Sequence, residues 1–445
     1  MKVFKFGGTS ISSPENIKIV YNIISDTKPK IVVFSAIKDI TNLLSEFIKQ
    51  SYVGNWIQSE QIISIIRDVH LDTIQGLFSS NNFKEIAIGK LDASISFLSK
   101  FLDKKLTGKY VNEILAQGEL LSTMIIYLYM LENGDDVAFL QALSFIKLTK
   151  EKEPDYPYIE DRLKQELSKH LGCKLFITQG FICSNHKNEI ANLNRGGSDY
   201  TATVIGKALK ADFIEIWTDI DGLQNNDPRF VKETKTIRSL SYEEASELAF
   251  FGAKILHPLT LKPIQNENIP LSIKNTFDPS KEGTLIHNNK KSENLKAIAS
   301  KDGITTIKLK SGKMMQAYGY LKKVFEVFEK YHTSVDMLTT SEISVAMTIE
   351  NRNYIQDIVS ELEPFGDLQI ENNQSIICIV QDYLNDTNFS IQEIIVGLKD
   401  VPIKMISFGS STINLSIIVD TENKPKAMEF LNSHVLKNEP CLAQS

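Results

Sequence analysis

Nothing at the start of this 445-residue chain reads as an export signal: Val3-Phe4-Lys5-Phe6 is a strand-like run, without a basic segment, an apolar core and a small-residue cleavage site. No later stretch is expected to reach membrane-spanning length, so a cytoplasmic protein with no membrane partner is expected. Cysteine is scarce too: the four residues Cys173, Cys183, Cys378 and Cys441 are far apart and form no CxxC or Cys/His cluster. They read as reduced thiols, and the pattern excludes a disulfide framework or a structural zinc site, with no metal-ligand set expected. A formal net charge of -6 argues against a general nucleic-acid binder. What is present is ordinary globular material, 42% hydrophobic and 23% charged, long enough for two or three cores.

The apolar residues organise as a βα chain. Val3 to Phe6 leads into Gly7-Gly8, and Ser12-Ser13-Pro14-Glu15 offers a helix start with the S-x-x-E spacing. Ile17, Val20, Tyr21 and Ile24 then recur at helical spacing, and Ile31-Val32-Val33-Phe34 is short and β-branched like a buried parallel strand. The pattern returns at Leu175-Thr178, at a helix after Ser198-Asp199, and at Phe213-Trp217. An α/β layer architecture with a mainly parallel sheet follows, and in such sheets ligands bind beyond the C-terminal strand ends. Periodicity lapses between about residues 276 and 298, where a domain boundary is expected. Beyond it two small α+β series follow one another.

Five loops carry residue types suited to anion chemistry. In Lys5-Phe6-Gly7-Gly8-Thr9-Ser10 two glycines let the backbone approach an anion beside a strand lysine, without Walker A spacing. In Asn194-Arg195-Gly196-Gly197-Ser198-Asp199 an arginine, the natural bidentate partner of a carboxylate, stands before a helix start. Trp217-Thr218-Asp219-Ile220-Asp221-Gly222, followed by Asp227-Pro228-Arg229, is a polar turn at a strand end. Gly252-Ala253-Lys254 sets a lysine beside a small-residue turn, with His257 read as a hydrogen-bonded structural residue. Gln117-Gly118-Glu119 presents a carboxylate at an expected helix start. Taken singly, each is as readily a tight turn or a cap.

Together, and in this order, KFGGTS, the Ser35-Ala36 segment leading to Thr41-Asn42-Leu43-Leu44, Gly118-Glu119, RGGSDYTA, WTDIDG and FGAKILHP resemble the aspartokinase branch of the amino-acid kinase family over nearly the full chain. The sequence departs from the pattern at Asn194, at Ile190-Ala191-Asn192, at Gln224 and at Lys38-Asp39. The resemblance implies a three-layer α/β/α catalytic domain over 1–290, then two ferredoxin-like ACT domains over 306–380 and 381–445, the second completed by a strand near 297–303. It implies transfer of the γ-phosphoryl group of ATP, carried with Mg²⁺, to the β-carboxylate of L-aspartate.

On that resemblance Lys5 and the backbone of Gly7 and Gly8 face the transferring phosphoryl, Asp199 positions Lys5, and Arg229 and Lys254 add phosphate contacts. Thr218 and Asp219 take the nucleotide, while Arg195 holds the α-carboxylate of aspartate, Glu119 its α-ammonium, and Ser35, Thr41 and Ser198 orient the rest. The C-terminal units imply an amino-acid effector. Met314, Gly319, Tyr320, Leu321, Val335, Asp336, Thr340, Ser341 and Glu342 are its candidate site, and two acidic residues facing one small ligand favour lysine over threonine. A homodimer or dimer of dimers is expected. The chain ends soon after the second small unit, so a monofunctional enzyme without a homoserine dehydrogenase is expected. Two alternatives stand beside this: another kinase of the family, acting on acetylglutamate, glutamate or a nucleoside monophosphate, and a catalytically inactive amino-acid sensor.

Overall fold

The structure is a computed structural model describing residues 1–102, 106, 108–193, 196–231, 233–252, 256–288, 297–315, 317–381, 391–409 and 411–436. Two units emerge: Met1–Leu223 with Thr236–Tyr242 and Ile255–Lys290, and Gln224–Lys235 with Glu243–Lys254 and Lys291–Ser445.

The first unit carries strands β1 (Lys2–Phe6), β2 (Lys30–Phe34), β3 (Val137–Leu140), β4 (Leu175–Gln179), β5 (Ile182–Ser184), β6 (Ile190–Asn192), β7 (Phe213–Thr218), β8 (Ser239–Ser241), β9 (Leu271–Asn275) and β10 (Thr284–His287). Eight of them form one sheet in the order β3-β4-β2-β1-β7-β9-β10-β8, and β5 and β6 pair as a separate antiparallel hairpin. All pairs in the large sheet run parallel except β9 with β10. The β-branched run at 31–34 is therefore the buried central strand its composition predicts.

Strand periodicity of two decides what β1 does. Phe4 and Phe6 turn to one face and enter the main core, where Phe6 stacks on Phe34 at 5.9 Å and on Trp217 at 5.8 Å. Helices Pro14–Ile24, Ile40–Tyr52, Trp56–Leu77, Asn81–Ser99 and Gly108–Glu132 supply most of the rest of that core. Lys5 turns to the other face, where helix Gly197–Leu209 packs on β1 and β7. This is the α/β/α layering expected.

Three local expectations need correction. The cap of helix Pro14–Ile24 is Ser13, whose hydroxyl accepts from Asn16 N, with Pro14 in the first turn; Ser12 instead donates to the Thr9 carbonyl. Tyr110–Glu132 is long and apolar enough to cross a membrane, with mean hydropathy 1.5. Its apolar window is 67% buried inside the protein, so in this structure it is a core helix. The polar stretch after 276 hides a strand, β10, which closes against β9 and β8.

The second unit is built on a six-stranded antiparallel sheet in the order β12-β13-β11-β14-β16-β15, with β11 (Ala297–Lys310), β12 (Leu338–Thr340), β13 (Ser344–Ile349), β14 (Asp367–Val380), β15 (Ile403–Phe408) and β16 (Asn414–Asp420). β11 and β14 are each long enough to serve two ferredoxin-like modules. Ile307 and Leu309 pack with Tyr320, Val324 and Phe328 in one core, while Ile298, Ile377 and Ile379 pack with Ile394, Met428 and Leu431 in another. Pairing of β11 with β14 slips between Lys301 and Thr306, where Gly303 has φ +77°, separating the two halves.

Two segments from within 1–290 belong to this second unit. Asn225 O accepts from Ile298 N at 2.9 Å, Asn226 bonds Asn432 at 3.1 Å, and Asn414 bonds Glu247 at 2.6 Å. Polar bonds to β11, to β16 and to Asn432 hold them there, a pairing that local periodicity does not register.

Candidate active site

At the C-terminal end of β1 the chain turns tightly through Gly7-Gly8. Gly7 N donates to Trp217 O, and Ser10 N and Ile11 N donate back to Gly7 O and Gly8 O, forming a short 3₁₀ turn over Thr9–Ile11. A side chain at residue 8 is sterically impossible without movement: its Cβ would stand 2.8 Å from Ala36 O and 3.1 Å from Lys38 N. Lys38 N donates to Gly8 O, so the loop after β2 is bonded directly to the glycine turn.

Lys5 and Asp199 meet on the far face of the sheet. Helix Gly197–Leu209 is capped by Gly196 at φ +79°, so neither Ser198 nor Asp199 spends its side chain on capping. Asp199 stands in the first turn with Oδ1 2.6 Å from Lys5 Nζ, both side chains little exposed. Lys5 Nζ in turn lies 3.5 Å from where a Gly7 Cβ would be, facing the glycine turn.

Glu119 is placed differently from its sequence reading. It lies in the middle of helix Gly108–Glu132, so a helix dipole does not account for it. It is 3% exposed, and its Oε2 has no hydrogen-bond partner among the described residues. Burial pushes its pKa up to about 8, against the lowering influence of a backbone bond at Ala36 and the charge of Lys5. The close approach at Gly118, whose Cβ would touch Ala36 at 2.8 Å, brings the helix up to the loop after β2, and Ser122 Oγ donates to Ser35 O at 2.7 Å.

These parts line an open cavity of about 360 Å³ formed by Gly8, Ser35, Thr41, Glu119 and Ser198, all selected from sequence, together with Thr9, Ala36, Ile37, Lys38, Asp39, Phe181 and Gly197. Arg195 and Lys254 lie outside the described residues. Phe181 was not legible in sequence, being an aromatic in an apolar run. Its φ of +65° is costly for a bulky side chain, and it is held by Phe181 N donating to Thr201 Oγ1 at 2.9 Å. Asp39 is the second such residue, at φ +66°.

Thr218 and Asp219 follow β7, where Thr218 Oγ1 donates to Asp219 Oδ1 at 3.1 Å and Asp219 is exposed. Beside them Lys274 Nζ lies 5.2 Å over the Trp217 ring. Arg229 belongs to the second unit, where its guanidinium grips Asp227 through Nε and Nη2 at 2.6–3.1 Å. His257 caps helix Pro258–Gln265 by accepting from Leu259 N, the structural role expected of it.

In the second unit a cavity of about 540 Å³ is lined by Met314, Gly319, Tyr320, Leu321, Ser341 and Glu342, six of the nine effector candidates. Gly319 caps helix Tyr320–Lys330 at φ +78°. Val335, Asp336 and Thr340 do not line it. Val335 packs on the module core, Thr340 ends β12, and Asp336 turns to Lys301 at 3.4 Å, burial raising its pKa.

Residues 1–275 match the amino acid kinase family. The lysine-sensitive aspartokinase 3 of Escherichia coli K12 is 31% identical over 98% of this chain and 99% of its own length. Among solved structures, E. coli aspartokinase III in complex with aspartate and ADP aligns with TM-score 0.87 at 29% identity, covering 98% of this chain and 100% of that one. The same protein in complex with lysine and aspartate aligns with TM-score 0.79 at 30% identity over the same shares. The chain belongs to the amino acid kinase family and, within it, to the aspartokinases.

Proposed function

We propose that the protein transfers the γ-phosphoryl group of ATP to the β-carboxylate of L-aspartate and is inhibited by lysine. The observation that carries this reading is Glu119: a buried carboxylate with an unpartnered oxygen, lining a cavity that Gly8 of the glycine turn lines too. A buried unpaired carboxyl is costly to keep unless a ligand satisfies it, and the α-ammonium of an amino acid does so. Aspartate then lies against Ser35, Thr41 and Ser198, with Arg195 assigned to its α-carboxylate. Its β-carboxylate is directed at the glycine turn.

The reaction needs no base, because the acceptor carboxylate is already ionised at neutral pH. A carboxylate oxygen forms a bond to the γ-phosphorus as the bond to the β,γ-bridging oxygen breaks; ADP leaves with that electron pair and the product is 4-phospho-L-aspartate. The work left to the protein is in-line positioning and neutralising charge on the phosphoryl oxygens. Lys5, held by Asp199, and the amides of the glycine turn take that role. Thr218 and Asp219 take the nucleotide, and Arg229 and Lys254 rest on the resemblance alone as phosphate contacts. Among the described residues no group of three or more His, Cys, Asp or Glu could hold a metal. A Mg²⁺ ion carried in with the triphosphate would supply charge neutralisation.

Lysine is assigned to the cavity beside Gly319, with its ammonium on Glu342 and its carboxylate at the free N–H groups of helix Tyr320–Lys330. The similarity to a lysine-sensitive relative supports this choice. A homo-oligomeric assembly in the cytosol completes the proposal. The direct test is trapping the product with hydroxylamine. An acyl phosphate gives a hydroxamate, formed only when ATP and aspartate are both present; no hydroxamate with aspartate would reject the reading.

A further inference from the structure

Phosphoryl transfer between ATP and a carboxylate brings two anions together, so the cations facing the cleft decide how far their repulsion is relieved. Of the described residues lining the cavity, only Lys38 is a cation. Lys5 stands behind the glycine turn and its charge is already matched by Asp199 at 2.6 Å. Lys38 is exposed and its ammonium has no carboxylate within ion-pair distance among the described residues. Its backbone, by contrast, is fixed. Lys38 N donates to Gly8 O at 3.2 Å, and its Cα lies 3.2 Å from where a Gly8 Cβ would stand. The next residue, Asp39, turns the chain through a left-handed conformation into helix Ile40–Tyr52. The lysine side chain is thus rooted against Gly8, in the turn assigned above to the phosphoryl group.

We propose that Lys38 is a further catalytic cation of this enzyme, whose ammonium meets the γ-phosphoryl group as it passes from nucleotide to acceptor. This rests on the reading of the cleft as a phosphoryl-transfer site and adds a residue to its machinery. Lys5 and Lys38 then approach the phosphoryl from two sides, one buried and preorganised, the other exposed to solvent. The second contribution is the smaller and the more sensitive to salt.

The test compares wild type with Lys38→Met and Lys38→Arg, all exposed changes that leave the core alone. With aspartate as acceptor, Lys38→Met is expected to lower kcat by about tenfold, Lys38→Arg to keep most of it, and the variant's rate to depend less on salt than the wild type's. Calorimetry supplies an arm that needs no turnover. A non-hydrolysable ATP analogue should bind Lys38→Met about tenfold more weakly than wild type, while ADP binds both alike. Equal affinities of the two proteins for the analogue, or a kcat within twofold of wild type, would overturn the assignment. If wild type released no ADP with aspartate, the acceptor would be wrong, and the calorimetric comparison would still decide Lys38.

Discussion

Lys5 Nζ and Asp199 Oδ1 stand 2.6 Å apart, one from the first strand of the sheet and the other from the first turn of a helix nearly two hundred residues later. The pair places a positive charge at the glycine turn and fixes its direction. Lys5→Ala should therefore lower kcat by roughly 10²- to 10³-fold, the scale for losing one preorganised donor in the transition state. Asp199→Asn keeps the shape but loosens the lysine, with an expected loss of about tenfold. A coupled ADP-release assay measures both, and near-wild-type turnover of Lys5→Ala would remove it from this role.

Glu119 predicts a pH dependence. With its pKa raised to about 8 by burial, the empty site is largely protonated at neutral pH, and binding an α-ammonium requires the proton to leave. The KM for aspartate should fall as pH rises toward about 8 and then level off. Glu119→Gln should raise that KM at least about tenfold and flatten its profile over this window. A wild-type KM that is constant between about pH 6.5 and 8.5 would contradict the assignment.

Much of this cleft was legible in the sequence because strand ends and glycine pairs are local signals. Lys5 and Ser198 stand out through side-chain chemistry next to turns, and Gly8 through the lack of a side chain. Glu119 was found for the wrong physical reason: its segment reads as a helix start, yet the helix begins eleven residues earlier, at Gly108. Lys38 stands out in the sequence only as a departure from the family pattern and Phe181 not at all, because their places in the cleft come from a loop bonded to Gly8 and from a left-handed backbone. The small modules were readable as strands and helices, but β11 and β14 run past their expected ends. Long-range pairing, and not local pattern, sets those lengths.

Regulation supplies a third prediction. Asp336 is paired with Lys301 and stands apart from the cavity at Gly319, whereas Glu342 lines it. If Glu342 takes the effector's ammonium, Glu342→Ala should raise the lysine concentration for half-inhibition at least about tenfold. Asp336→Ala tests the sequence assignment in the same titration: unchanged inhibition would leave Asp336 as a partner of Lys301 only. Absence of inhibition of the wild type by millimolar lysine would reject lysine itself.

His70 predicts an effect on stability. It is fully buried in helix Trp56–Leu77, its Nδ1 is 2.7 Å from Ile66 O, and its Nε2 has no partner among the described residues. Burial lowers its pKa, so the folded protein keeps it neutral while the unfolded chain takes up a proton near pH 6.5. Stability should be lost as pH falls through about 6.5, because the unfolded state then binds the extra proton. His70→Leu should lose less Tm between pH 7.5 and about 5.5 than wild type does. Equal losses in the two proteins would contradict this.

The central claim is the identity of the acceptor, and one experiment addresses it most directly: ADP release at fixed MgATP across aspartate, glutamate, acetylglutamate and nucleoside monophosphates. Sustained release with aspartate, and only background with the others, is the predicted result. Release that follows any other acceptor, or release with none of them from a folded, nucleotide-binding protein, would contradict it.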